Sequence, residues 1–170
     1  MFRKLAKQFY NLDYRQGNKQ VSYGDVISYF DAELTAGGVF FVIPLRYRPD
    51  FHLAVMNITD AVPPHTDSEI KCSINFYVEP ETCETKFYRP DGDVATHQIE
   101  NQTTGQIYEK EHLVCTGGFV AKKGDAFLLD VTKIHSVEPL FDMKQRTAIT
   151  LCTDKYDYDQ VSEMLYETGN

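Results

Sequence analysis

Hydrophobic and polar positions change rhythm along this chain. In residues 1–9 and 24–34 the apolar positions fall at roughly helical spacing. Val26, Ile27, Tyr29, Phe30 and Leu34 form one such face before Gly37-Gly38. These two stretches predict short helices. Beyond them the apolar residues come in short runs bounded by Gly, Pro and Asp. The runs at 39–43, 51–58, 70–78 and 85–88 predict strands, the last closed by the turn Pro90-Asp91-Gly92. Residues 89–111 are polar and carry no core face, which predicts a long loop or hairpin excursion. Strands resume at 112–115, 118–121, 125–130, 134–137 and 145–153. Val161, Met164 and Leu165 return to helical spacing and predict a closing helix.

Closely spaced short strands through the middle of the chain predict a mainly β fold, a sandwich or barrel with flanking helices. The length of 170 residues suits one domain. Its expected parts are helical support over 1–38, a β-barrel over 39–153 and a C-terminal helix over 154–170. The net charge of -8 argues against nucleic acid as a partner, since the longest basic cluster is Lys122-Lys123. There is no run of eighteen apolar residues and no signal-like leader, so the expectation is a cytoplasmic protein without a membrane partner. Cys72, Cys83, Cys115 and Cys152 form no C-x-x-C pair, which argues against a thiolate zinc site or a redox dithiol.

Two of the five histidines stand in informative contexts. In His65-Thr66-Asp67, imidazole and carboxylate are two residues apart and share one side of an extended chain. Alone, such a pair reads equally well as a turn with a surface histidine. The second is His135, which follows the strand Gly124-Asp125-Ala126-Phe127-Leu128-Leu129-Asp130 and a short turn. Arg146 then opens a strand of mostly apolar or small residues. Pointing inward it needs an anion; pointing outward it is an ordinary arginine at a strand mouth. The ordered set is more specific than its parts. Two histidines and one carboxylate on one face make the facial triad of non-haem Fe(II) oxygenases, leaving positions for a bidentate co-substrate and O2. An inward arginine gives a planar partner to a distal carboxylate.

On these residues the chain resembles the 2-oxoglutarate and Fe(II)-dependent dioxygenases, near the prolyl 4-hydroxylase-like branch. The resemblance spans residues 51–153 through PPHTD, SINFYVEPETCETKFYR, KKGDAFLLD, KIHSVEPL and QRTAITL. It implies a double-stranded β-helix, a jelly-roll barrel. It implies His65, Asp67 and His135 as Fe(II) ligands and Arg146 as the partner of the C5 carboxylate of 2-oxoglutarate. The implied reaction consumes O2 and 2-oxoglutarate, releases succinate and CO2, and hydroxylates a peptidyl prolyl or small-molecule C–H. The substrate would be a peptide or a small molecule.

The chain departs from the family pattern in three places. Met56 stands where the hydroxylase branch often has a tyrosine, Ala148 where a Ser or Thr often follows the arginine, and Thr82-Cys83 where Gly-Gly is common. Tyr77 and Thr150 are the residues placed to compensate as co-substrate contacts. The rival reading is a non-catalytic, cupin-like barrel that binds a metal or small ligand. Of the other histidines, His52 is assigned to core or rim packing, His97 to the polar excursion and His112 to a solvated strand start. Lys71 is assigned to solvent.

Overall fold

A computed structural model describes residues 1–36, 38–80, 83–98, 105–142 and 145–170. Gly37, Thr82 and residues 99–104 of the polar excursion lie outside the described residues, as does the side chain of His97. The chain folds into two antiparallel sheets. In sequence order the strands are β1 (Phe2–Lys4), β2 (Asp13–Tyr23), β3 (Ile27–Ala36), β4 (His52–Ile58), β5 (Val62–Thr66), β6 (Cys72–Glu79) and β7 (Cys83–Pro90). They continue with β8 (Thr96–Gln98), β9 (Gln106–Tyr108), β10 (Leu113–Val120), β11 (Ala126–Asp130), β12 (His135–Pro139) and β13 (Arg146–Thr153). One helix, α1 (Tyr158–Glu167), follows.

The larger sheet has the order β1-β11-β6-β13-β4-β3-β2, and the smaller β10-β7-β12-β5-β9-β8. Strands β4 to β7 and β10 to β13 alternate between the two sheets, so the chain crosses from one to the other at each connection. That alternation makes a double-stranded β-helix, a jelly roll. The two sheets face each other across a common interior.

Period-two alternation decides what the larger sheet shows to each side. On β6, Cys72, Ile74 and Phe76 point outward, while Ser73, Asn75 and Tyr77 point inward. The outer face is not left to water. Leu5, Phe9, Val39, Val42 and Ile43 cover it together with Val161, Met164 and Leu165 of α1. With both faces covered, β6, β11 and β13 are buried along almost their whole length. Helix α1 begins at a capping box: Gln160 N donates to Asp157 Oδ1 at 2.9 Å, and Asp157 N donates to Gln160 Oε1 at 3.0 Å.

The N-terminal third departs from expectation. Residues 1–9 do not form a helix; Phe2–Lys4 is strand β1, antiparallel to β11 with Phe2 opposite Leu129. The free edge of β11 offers hydrogen bonds, and the Phe2 ring fits among Phe87, Phe119 and Phe127 inside the barrel. The stretch at 24–34 is not a helix either. It is the return strand β3 of a hairpin whose turn uses Gly24 at φ +55°. Ile27 and Tyr29 face the cavity at period two, which outweighs the helical spacing. The 1–38 segment therefore extends a sheet rather than supporting it with helices. The apolar run at 39–43 is a 3-10 turn over Val39–Val42, not a strand, and Pro44 follows it. The strands expected at 112–115 and 118–121 are one strand, β10, with a register shift between Cys115 and Gly117. The polar excursion holds the short hairpin β8–β9, which adds to the edge of β5. Among the described residues no helix is long and apolar enough to cross a membrane.

The tight turn from β10 into β11 is held by Asp125, whose side chain is only 1% exposed. Its carboxylate accepts from Lys122 N at 3.0 Å and Gln8 at 3.3 Å, and pairs with Lys4 at 2.7 Å. Burial raises the Asp125 pKa, but these partners outweigh it and hold the group below the usual aspartate range. A depressed carboxyl pKa contributes stability above the unfolded value of about 4, lost as pH falls through the folded value. Asp125→Ala is expected to destabilise the fold by about 2 kcal/mol at neutral pH. Chemical denaturation should show that difference shrinking below about pH 4, where the wild-type carboxylate protonates.

Candidate metal centre and anion pocket

Strand β5 delivers His65 and β12 delivers His135, and the two residues lie opposite each other in the strand register. Their ring centroids are 4.2 Å apart. Each ring is held the same way, by the backbone carbonyl two residues earlier. His65 Nδ1 lies 2.9 Å from Pro63 O, and His135 Nδ1 lies 2.8 Å from Lys133 O. A carbonyl oxygen only accepts, so each Nδ1 carries a proton and each Nε2 is the ring nitrogen left to face a metal. The turn supplying the Lys133 carbonyl is itself fixed, since Asp130 Oδ1 accepts from both Thr132 N and Thr132 Oγ1, at 3.2 and 2.5 Å. Asp67 follows β5, its backbone N donating to Val131 O at 2.9 Å. Its Oδ1 stands 3.6 Å from His65 Nε2. The ligand atoms of His65, Asp67 and His135 all lie within 4.8 Å of one another.

Electrostatics favour this set as metal ligands. Burial pushes the His135 pKa down to about 3, with the neighbouring His65 adding to the effect, so His135 is neutral at physiological pH. Burial raises the Asp67 carboxyl and His65 opposes it, so the carboxylate gains from a cation placed beside it. Two neutral imidazoles and one carboxylate fit a divalent metal with open positions. Phe87, across from His135 in the register, stacks on its ring at 5.8 Å and fixes its plane.

Arg146 opens β13 and points inward. Its side chain is among the most deeply buried of the protein, at 1% exposure. Nη2 donates to Thr85 Oγ1 at 3.0 Å, and the guanidinium lies 4.6 Å from the centroid of the Tyr77 ring. Nε and Nη1 have no hydrogen-bond partner among the described residues, and no carboxylate there pairs with the charge. A buried guanidinium with two open donors has the chemistry to take an anion.

The register places this pocket relative to the histidines. Thr85 lies opposite Val137 and Phe87 opposite His135. The arginine head at Thr85 is therefore two residues, about 7 Å, along the barrel from His135. Both line one cavity of about 670 Å³.

Of the two residues proposed to compensate, Thr150 lines that cavity on the face of Arg146, and Tyr77 offers its ring face to the guanidinium. The sequence reading overlooked Thr85 and Asn75. Asn75 was legible by alternation, since it shares a strand face with Tyr77. Thr85 needed the pairing of β7 with β12. His52 is exposed at the cavity rim, Cys152 lines the wall, and no disulfide joins any of the four cysteines. His112 is exposed beside Glu109 and Glu111, whose ligand atoms also cluster, and Lys71 is exposed.

No family model matches the chain, and no curated protein sequence matches it. Solved structures do show likeness. Vicilin from Corylus avellana is 12% identical, with 81% of this chain and 31% of that chain covered at a TM-score of 0.43. Oxalate decarboxylase from Bacillus subtilis, whose Mn(II) centres were studied, is 10% identical, with 82% and 28% covered at 0.42. A cupin-like protein from Thermotoga maritima is 11% identical, with 83% and 80% covered at 0.38. The chain spans less than a third of the length of the vicilin and the decarboxylase. The jelly-roll assignment rests on strand order and register.

Replacing Arg146 removes a buried, half-satisfied charge. Arg146→Met is expected to raise the stability of the ligand-free protein by about 1–4 kcal/mol. In a thermal melt this is an increase of several degrees. A large fall would mean that the guanidinium is held by the fold rather than kept for a ligand.

Proposed function

We propose that the protein is an Fe(II)- and 2-oxoglutarate-dependent oxygenase that hydroxylates a C–H bond of a peptide or small-molecule substrate. The observation that carries the reading is the Arg146 guanidinium, buried without a carboxylate and about 7 Å along the barrel from three convergent metal ligands. A ligand with a carboxylate at one end and a chelating group several ångströms away matches that spacing. 2-Oxoglutarate has this form.

His65, Asp67 and His135 would hold the metal, with the Nδ1 anchors of both histidines keeping Nε2 aimed at it. When bound, Fe(II) with 2-oxoglutarate and O2 supplies the oxidising chemistry, with release of succinate and CO2. The chain does the rest. Arg146 offers Nε and Nη1 to the distal carboxylate, and Thr85 and the Tyr77 ring hold the guanidinium in place. The apolar wall of Met56, Ile58, Val62 and Val137 limits water around the site. The hairpin β2–β3 and the pair β8–β9 extend the sheets on the side of β4 and β5, so Tyr23, Tyr29 and Ile107 also line the cavity. These are the residues positioned to meet a substrate.

A second reading is favoured by Met56 and Ala148, apolar where the hydroxylase pattern is polar. In it the barrel binds a metal and a small anion without turnover. The two readings separate in one assay. Under the first, purified protein with Fe(II), O2 and 2-oxoglutarate forms succinate even without a primary substrate, slowly and in proportion to protein. His135→Ala abolishes it, and Arg146→Ala raises the 2-oxoglutarate concentration needed by at least tenfold. Metal uptake with no succinate at any 2-oxoglutarate concentration supports the second reading.

A further inference from the structure

The metal ligands and Arg146 do not account for the whole cavity. At about 670 Å³ it has the size of a pocket for a drug-sized ligand, more room than a metal ion and a small dicarboxylate take. The register shows where the extra room lies. On the larger sheet Arg146 stands opposite Ile58, Ile58 opposite Ile27, and Ile27 opposite Tyr23. Tyr23 is thus three strands, about 14 Å, across the sheet from Arg146. On the facing sheet Ile107 lies opposite His65. Between these walls a trough runs from the histidines out to the hairpin β2–β3.

Tyr23, Val26, Tyr29 and Ile107 line the trough and are only partly buried, so their apolar surface stays open to the cavity. Apolar surface gathered in a concave site marks a place for a ligand. Tyr23 and Tyr29 meet edge to face at 5.8 Å and give the outer end an aromatic wall. Charge is kept out. Apart from Asp67 and Arg146, Glu69 is the only Asp, Glu, Lys or Arg among the described lining residues, and it is exposed. An anion in the trough would find no cation beyond Arg146. A cation would leave water with no buried carboxylate to pair with once Asp67 holds a metal. A peptide backbone drawn inside would find mainly the two tyrosine hydroxyls for its amide groups, and unpaired amides are costly to bury.

We propose that the trough takes the primary substrate, and that this substrate is an uncharged small molecule with a bulky apolar body, aromatic or branched aliphatic. The proposal rests on the oxygenase reading, which supplies the reaction and leaves the substrate class open. The charged end of the cavity holds the co-substrate, and the uncharged end selects what is oxidised, with Tyr23 as a specificity-determining residue.

The test uses N-phenylnaphthylamine, a neutral probe whose fluorescence rises when it leaves water. It is titrated into the full chain, first free of metal and then loaded with Mn(II) and 2-oxoglutarate. Saturable binding is expected in both states. Matched competitors then separate charge from shape. Naphthalenemethanol should displace the probe at a concentration about tenfold or more below that needed of naphthoate, of naphthylmethylammonium or of the neutral peptide acetyl-prolyl-glycinamide. Tyr23→Asp should weaken probe binding by about tenfold or more, and Tyr23→Phe should leave it within about twofold. If Tyr23→Asp does not fold, Tyr23→Ala carries the test, with binding weakened about threefold or more. Equal displacement by either charged competitor, or better displacement by the peptide, would overturn the substrate class. Probe binding that is absent, or unchanged in Tyr23→Asp and Tyr23→Ala, would overturn the trough itself. Calorimetric titration of 2-oxoglutarate into the Mn(II)-loaded protein tests the oxygenase reading separately. 2-Oxoglutarate binding without probe binding would overturn this inference alone. Probe binding without 2-oxoglutarate binding would overturn the oxygenase reading, and with it the substrate role of the trough.

Discussion

A guanidinium cannot be sealed inside an apolar barrel without consequence. Arg146 is almost wholly removed from water, and the described residues give it one hydroxyl and one aromatic face. Taking such a charge out of water costs several kcal/mol, and a single neutral hydrogen bond with a cation–π contact offsets only part of that. The two sheets nevertheless close around it, because the central strands of the larger sheet are buried on both faces and the apolar layers supply the stability that the arginine withholds. This cost is kept in the middle of a cavity rather than relieved with an aspartate. The account of function follows from that choice.

The register of the smaller sheet converts the choice into geometry. β7 pairs with β12, and β12 with β5, so Thr85, Phe87, His135 and His65 are fixed relative to one another by backbone hydrogen bonds alone. His65 and His135 are neighbours across strands, and both rings are turned by the carbonyl two residues before them. Asp67 leaves the end of β5 and is tied to Val131 at the end of β11. His65 and His135 lie on the strands themselves and Asp67 directly follows β5, which suits a site organised in advance of any ligand.

The four candidate site residues were legible as a group because they combine type and spacing. An H-x-D pair, a later histidine and an arginine beyond it are hard to produce together by packing alone, and the structure brings all four to one cavity. The middle and late strands were legible because β-branched and apolar runs broken by Gly and Pro are local signals. The first third was not. Ile27, Tyr29 and Phe30 fit a helical face as well as a strand, and only the open edge of β4 decides between them. Phe2 is drawn into strand geometry by three aromatic rings far away in sequence. Such outcomes are set by tertiary pairing, which local pattern does not encode. Thr85 escaped notice for the same reason: its importance lies in the strand that stands across from it.

The account stands most directly on whether a metal at the histidine pair and a carboxylate at Arg146 are joined by one ligand. Anaerobic addition of Fe(II) and then 2-oxoglutarate, followed by visible absorption, measures that. The account predicts a weak metal-to-ligand charge-transfer band that requires both additions, is absent in His135→Ala, and fades when O2 is admitted. Iron binding with no such band at saturating 2-oxoglutarate would contradict it.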